Sequence, residues 1–166
     1  ALGVFSCVAT SGGKLILAKK VFLVGRVMKL LVITQKVDEN DAVLGFMHRW
    51  LEEFAKNCEA IIVVCLEQGT HHLPANVRVL SLGKEAGACS RWRYALRFWR
   101  IIWAERSGYD AVFVHMNQVY VLLGWAVWRA LGKRVALWYA HGAISFSLRI
   151  AEKITDVILT STPSGF

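Results

Sequence analysis

The sequence predicts an α/β fold, a doubly wound, mostly parallel sheet of about six strands with helices on both sides. Three observations carry that prediction. From Met28 onward, short β-rich runs alternate with segments of helical period. One of these runs, Ala60 to Leu66 (Ala-Ile-Ile-Val-Val-Cys-Leu), is apolar throughout, as a strand buried on both faces requires. The runs also end in polar residues, at Thr34, Glu67, His115, His141 and Ser161, where each strand would leave the core.

Taken in order, Lys29 to Gln35 is the first strand of this unit. Ala42 to Lys56 follows as a helix, because Leu44, Met47, Trp50, Leu51 and Phe54 recur at helical spacing. Ala60 to Leu66 completes a β-α-β unit, so the two strands should be parallel. Glu67 to Asn76, with Gly69 and Pro74, reads as a loop before a short strand at Val77 to Leu82. A second loop, Gly83 to Ser90, leads into a helix over Trp92 to Ser107 that Gly108 stops. Asp110 to His115 is the next strand, Asn117 to Leu131 a helix ended by Gly132, and Arg134 to Ala140 another strand. A short helix over Ile144 to Lys153 and a strand at Asp156 to Thr160 close the series, and the turn residues Pro163 and Gly165 follow.

The apolar fraction of 55% and the mean hydropathy of +0.42 are high, yet no run reaches the roughly 18 uncharged apolar residues that would cross a bilayer. The net charge is +8, and half of it lies in residues 1 to 27, where Lys14, Lys19, Lys20 and Arg26 meet no acid. Charge spread that way does not make a nucleic-acid footprint, and no nucleic-acid partner is expected. Residues 1–27 lack a clear period and are expected to be an upstream extension or a disordered or edge segment, with a further strand possible at Lys20 to Val27. Residues 28–166 then form one domain. Cys7, Cys58, Cys65 and Cys89 show neither a Cys-x-x-Cys pair nor a companion His at zinc spacing, which predicts free thiols in a cytosolic setting.

Ligands of such a sheet bind outside the carboxyl ends of its strands. Those ends carry Thr34 and Gln35, Glu67, His115 with Asn117 and Gln118, His141 with Gly142, and Ser161 with Thr162. Two strands ending in histidine, at 115 and 141, single out that edge. The loop after the first strand, Thr34 to Asp41, holds no glycine, so the close approach of backbone to a pyrophosphate that a dinucleotide enzyme needs is missing. His71 and His72 have no carboxylate cluster at ligand spacing, and no metal site is predicted. On the helix over 92–107, Arg93, Arg97 and Arg100 fall within about 60° of one another, beside a stripe of Trp92, Leu96, Trp99 and Trp103. Either the stripe packs on the sheet and the arginines are solvated, or the two faces together form an interfacial surface.

Four segments together resemble the N-terminal domain of family 4 glycosyltransferases. They are Met28-Lys-Leu-Leu-Val-Ile-Thr, Asp110-Ala-Val-Phe-Val-His115, Leu137-Trp-Tyr-Ala-His141-Gly142 and Asp156-Val-Ile-Leu-Thr-Ser161-Thr-Pro-Ser-Gly-Phe166. These are retaining enzymes of the two-domain GT-B type, and the resemblance covers residues 28 to 166. It implies a Rossmann-like, acceptor-side domain, the N-terminal half of a GT-B fold. His141 would point at the transferred sugar and act as the catalytic group, with Gly142 letting the chain turn close to it. His115, Asn117, Thr34 and Lys36 would line the substrate side. It further implies a nucleotide-sugar donor held chiefly by a C-terminal domain beyond Phe166, a glycan or lipid-linked acceptor, and no other cofactor. On this reading the piece is a truncated protein, a domain or one half of a split enzyme, inactive alone. Arg93, Arg97, Arg100 and Trp103 would dock it on an anionic membrane, as a cytoplasmic protein peripheral to the inner face. The alternative is a non-catalytic α/β interaction or membrane-docking module.

Overall fold

The computed structural model describes residues 8–11, 14–17, 28–87, 90–140 and 145–160. Eight strands form one sheet: β1 (Val8–Ser11), β2 (Lys14–Leu17), β3 (Met28–Val37), β4 (Cys58–Gln68), β5 (Val77–Ser81), β6 (Ala111–His115), β7 (Arg134–Trp138) and β8 (Val157–Thr160). Four helices connect them: α1 (Phe46–Ala55), α2 (Arg91–Ala104), α3 (Gln118–Ala130) and α4 (Phe146–Ile154). The spatial order is β2-β1-β8-β7-β6-β3-β4-β5. From β3 to β8 every pairing is parallel, so the expected six-stranded parallel sheet is present. β1 and β2 extend it beyond β8 as an antiparallel pair within residues 8–17. The further strand expected at Lys20 to Val27 lies outside the described residues.

β3 and β4 run longer than their apolar cores. Their register continues through Lys36↔Glu67 and Val37↔Gln68, so polar residues past the apolar run remain paired. Helix α1, in contrast, begins at Phe46 and not at Ala42. The Asp41 carboxylate accepts the amides of Val43 (2.9 Å) and Leu44 (2.8 Å), and this local turn takes the chain up to the helix start. Asn117 and Ser145 cap α3 and α4 by accepting the amides of Val119 (3.1 Å) and Leu148 (3.2 Å). α3 ends in a Schellman turn: the Gly132 amide bonds Arg129 O (3.2 Å), the Lys133 amide bonds Trp128 O (2.9 Å), and Gly132 adopts the required left-handed φ of 64°.

The helices divide unequally over the two faces. On one face α1 packs Met47 and Leu51 against Leu30, Val32, Ile61 and Val63. On the other, α2, α3 and α4 pack Phe98, Ile102, Val121, Trp128 and Leu148 against Leu31, Ile33, Val64, Val114 and Leu137. Each of these fully buried large side chains contributes about 1.5–3 kcal/mol relative to exposure. α2 docks on the sheet through Ala95, Phe98 and Ile102, whereas Trp92, Leu96 and Trp103 are exposed and Trp99 is half-buried with its indole N–H donating to Leu123 O (2.7 Å). The tryptophan stripe is therefore not the helix's core face.

Candidate functional site at the sheet's switch point

β3 and β6 are neighbours, and the chain leaves them in opposite directions: β4 and β5 lie to one side, β7 and β8 to the other. The helices after β3 and β6 cover opposite faces of the sheet, which makes the carboxyl ends of this strand pair the switch point, where ligands of such sheets bind. The residues at those ends are Thr34 and His115. The register Ile33↔Val114 brings the two side chains together immediately past the last paired residues, with Thr34 Oγ1 3.4 Å from His115 Nδ1. Both are buried, at 0% and 1% exposure.

Burial sets the chemistry of His115. Loss of solvation pushes its pKa down to about 4, so the imidazole is neutral at physiological pH, with one nitrogen a donor and the other an acceptor. Nδ1 faces Thr34, whereas buried Nε2 has no hydrogen-bond partner among the described residues. Leaving such an atom unsatisfied costs about 1–3 kcal/mol, and a ligand hydroxyl is the kind of group that would recover it. Two aromatic rings from the first turns of α1 wall the imidazole edge-on, Phe46 at 5.5 Å and Trp50 at 5.8 Å between centroids. Trp50 also packs on Trp138, the β7 residue in register with His115. Phe46 remains 43% exposed and forms the outer wall.

The chain turns sharply after His115. Met116 has φ 60°, a left-handed conformation that costs a non-glycine residue roughly 1–2 kcal/mol. Its amide donates to Trp138 O (2.8 Å), which ties the turn to β7 and delivers Asn117 as the α3 cap. Strain of this sort is concentrated at ligand-facing turns.

Lys36 lies two residues beyond Thr34. Its ammonium is surrounded by three carboxylates, Asp41 (2.9 Å), Asp38 (3.2 Å) and Glu67 (3.3 Å), and the hydrogen bonds it donates to them, Asp41 first, hold its pKa well above the ordinary lysine value. The Asp41 carboxyl is lowered to about 2, first by the Leu44 amide and then by Lys36. The Glu67 carboxyl is lowered by Lys84 (3.2 Å) as well as by Lys36. As placed, the charge of Lys36 is spent on the protein's own acids. Beside this cage the Glu39 carboxylate meets His72 Nδ1 (2.9 Å), and the His72 amide donates to His48 Nε2 (3.1 Å), which fastens the loop after β4 to α1. Among the described residues no group of three His, Cys, Asp or Glu side chains is arranged to hold a metal ion.

Of the residues singled out from sequence, the structure brings Thr34 and His115 into contact, and places Asn117 at the adjoining helix cap and Lys36 at the rim. His141 and Gly142 lie outside the described residues; β7, which leads to them, ends on the same edge. Arg93, Arg97, Arg100 and Trp103 are on α2 and belong to a different surface. There Arg97 donates to Leu82 O (2.6 Å), and the Arg106 guanidinium sits 5.1 Å over the Trp103 ring. The sequence reading missed the roles of Phe46, Trp50 and Met116. Phe46 and Trp50 share the helical spacing of core residues, and only their position at the start of the helix after the first strand could have set them apart.

The parallel strands, numbered along the chain, lie in the order 3-2-1-4-5-6, which defines a Rossmann-like domain. No family model matches the chain, and no curated protein does. Among solved structures it is similar to the UDP-GlcNAc 2-epimerase from Methanocaldococcus jannaschii, with a TM-score of 0.51 and 20% sequence identity. The match covers 83% of this chain and 40% of that one, so the chain spans less than half of the epimerase's length. At this identity the likeness is one of fold. Among the described residues no helix is long and apolar enough to cross a membrane.

Proposed function

We propose that the chain is the acceptor-side domain of a retaining, nucleotide-sugar-dependent glycosyltransferase of the family 4 type, acting together with a C-terminal donor-binding domain. The observation that carries this reading is the buried Thr34–His115 pair at the switch point, with Nε2 of the imidazole unpartnered among the described residues. The fold shared with an enzyme named for a nucleotide sugar, and the strand-end motifs from Met28 to Phe166, add support.

In this scheme His115 and Thr34 hydrogen-bond acceptor hydroxyls, while Phe46 offers a ring face to the apolar side of a sugar. Neutral His115 can donate or accept without carrying a buried charge. His141 orients a hydroxyl of the donor sugar, Gly142 allows the close turn beside it, and Asn117 holds the α3 cap against the cleft. Transfer proceeds on one face of the sugar, with the leaving phosphates stabilised by the second domain. Lys36 reaches a phosphate only by leaving its three carboxylates, so its role in this reading is to shape the rim.

The test is product analysis with the two-domain protein. Nucleotide sugars incubated with hydroxyl acceptors should yield a glycoside of retained anomeric configuration, read by proton NMR, and His141→Ala should lower turnover by about 100-fold with folding intact. Formation of an epimerised nucleotide sugar with no glycoside would replace the transferase reading with an epimerase one. Near-normal turnover of the His141→Ala protein would remove that residue from the mechanism.

A second reading, a docking module for anionic membranes, is favoured by one specific observation. Trp92 (71% exposed), Leu96 (54%) and Trp103 (52%) lie open on α2, whose four arginines share the helix with no acid. Tryptophan beside arginine suits the headgroup boundary. Vesicle flotation checks it: binding should need anionic lipid, weaken with salt and fall in an Arg93/Arg97/Arg100→Ala variant. Binding indifferent to lipid charge would end this reading without touching the transferase one.

A further inference from the structure

The opposite edge of the sheet, where β7 and β8 begin, holds a cavity of about 400 Å³ that the proposed reaction does not use. Its lining includes Trp125 and Arg129 of α3, Arg134 of β7, Lys153 of α4 and Asp156. The charges there are unbalanced. Asp156 is the one acid in the lining, and its carboxylate is engaged in accepting the Val135 amide at 2.7 Å, closing the start of β7. Lys133 is committed to the floor, donating to Tyr109 O at 2.5 Å with its ammonium 5.1 Å over the Tyr109 ring. Arg129, Arg134 and Lys153 are exposed cations with no ion pair among the described residues. The space above the α3 terminus is open, since a Cβ added to Gly132 meets nothing within 4 Å. Trp125, one helical turn before Arg129, is 41% exposed and lines the same cavity.

Complementing the helix dipoles accounts for two of these cations, because Arg129 and Lys153 occupy the last turns of α3 and α4. It does not account for Arg134, the first residue of a strand, nor for an exposed tryptophan beside all three. We propose that this cavity is a binding site for a nucleoside diphosphate, with the base stacked on Trp125 and the phosphates held by Arg129, Arg134 and Lys153. Three cations match the charge of about −3 on a diphosphate group, and guanidinium forks bind phosphate oxygens two at a time. A base stacks on an exposed indole irrespective of its identity. The volume falls within the range of about 300–1,000 Å³ found for small-ligand sites. The site lies at the edge away from Thr34 and His115, so it would act as a second, regulatory position.

The experiment is a two-dimensional NMR titration of the full chain with ADP, against three comparisons: pyrophosphate, adenosine, and chloride at matched ionic strength. Saturable shifts are expected at the Trp125 indole N–H and the Gly132 amide, with pyrophosphate binding more weakly and adenosine and chloride giving no saturation. Arg134→Gln with Lys153→Gln should weaken ADP by about tenfold or more, and Trp125→Ala should bring ADP down to the affinity of pyrophosphate. Vesicles bearing phosphatidic acid serve as a lipid-phosphate arm. Saturation by these vesicles but not by ADP overturns the assignment to a soluble nucleotide. It is equally overturned if ADP shifts Thr34 and His115 instead, if the double variant binds unchanged, or if no saturation occurs.

Discussion

Replacing His115 by glutamine should change how the protein's stability depends on pH. The folded state holds this imidazole at a pKa of about 4 by burial, against about 6.5 for an unfolded chain. Because the folded value is the lower one, protons bind preferentially to the unfolded state. The stability associated with a neutral His115 is complete above pH about 6.5, declines as pH falls, and is lost once pH has passed down through about 4. Each pH unit in that window costs about 1.4 kcal/mol, so the loss is about 2 kcal/mol at pH 5 and about 3 kcal/mol at the lower limit. The assay is urea denaturation of the natural and His115→Gln proteins at stepped pH. Other acids and histidines titrate in both, and the difference between the two curves isolates position 115. That difference should rise by about one proton's worth per pH unit and level off near pH 4. Direct NMR titration of the His115 ring in the unaltered protein gives a second reading that does not depend on the variant folding well. Parallel curves, or a ring that titrates near 6.5, would refute the buried, neutral imidazole and with it the argument from an unpartnered Nε2.

Three further outcomes follow from the packing. Gly124→Ala should destabilise by about 1–3 kcal/mol in urea melts, because the new Cβ would lie 2.3 Å from the fully buried Trp128 ring; an exposed helical glycine would instead be stabilised by that change, so the sign is diagnostic. Phe98→Ala should cost about 3–5 kcal/mol while Trp92→Ala stays within about 0.5; the reverse ranking would mean that α2 is rotated on the sheet. In a Lys36→Met protein, carbon NMR should find the Asp41 carboxyl titrating closer to its ordinary value yet still below it, since the Leu44 and Val43 amides keep donating. An unmoved Asp41 would show that Lys36 is not in contact with it.

The strands were legible because their apolar runs are continuous, and continuity is what burial on both faces demands; Ala60 to Leu66 needed nothing more. Their ends were less so, because β3 and β4 extend each other through Lys36 and Glu67, a pairing that no single strand announces. The start of α1 was misplaced for a similar reason, since a side chain–backbone bond at Asp41 holds residues that helical period would include. On α2 two apolar arcs lie side by side, and period alone cannot say which arc meets the sheet. Phe98 won that place over the tryptophans. At the site, Thr34 and His115 were visible as polar ends, but their contact depends on β6 pairing with β3 across a long crossover. Nothing local to either residue encodes that adjacency.

The unequal division of helices between the two faces has an electrostatic consequence. Asp38, Glu39, Asp41 and Glu67 cluster at the edge covered by α1, whereas Arg91, Arg93, Arg97 and Arg100 ride on the opposite layer together with Arg129 and Arg149. α2 thus presents a one-signed, cationic surface on a chain whose net charge is +8. Such a surface feels a partner's charge over about a Debye length, about 8 Å at physiological salt. The cationic helix and the Thr34–His115 pair thus lie on different parts of the molecule, so charge at one can be changed without touching the other.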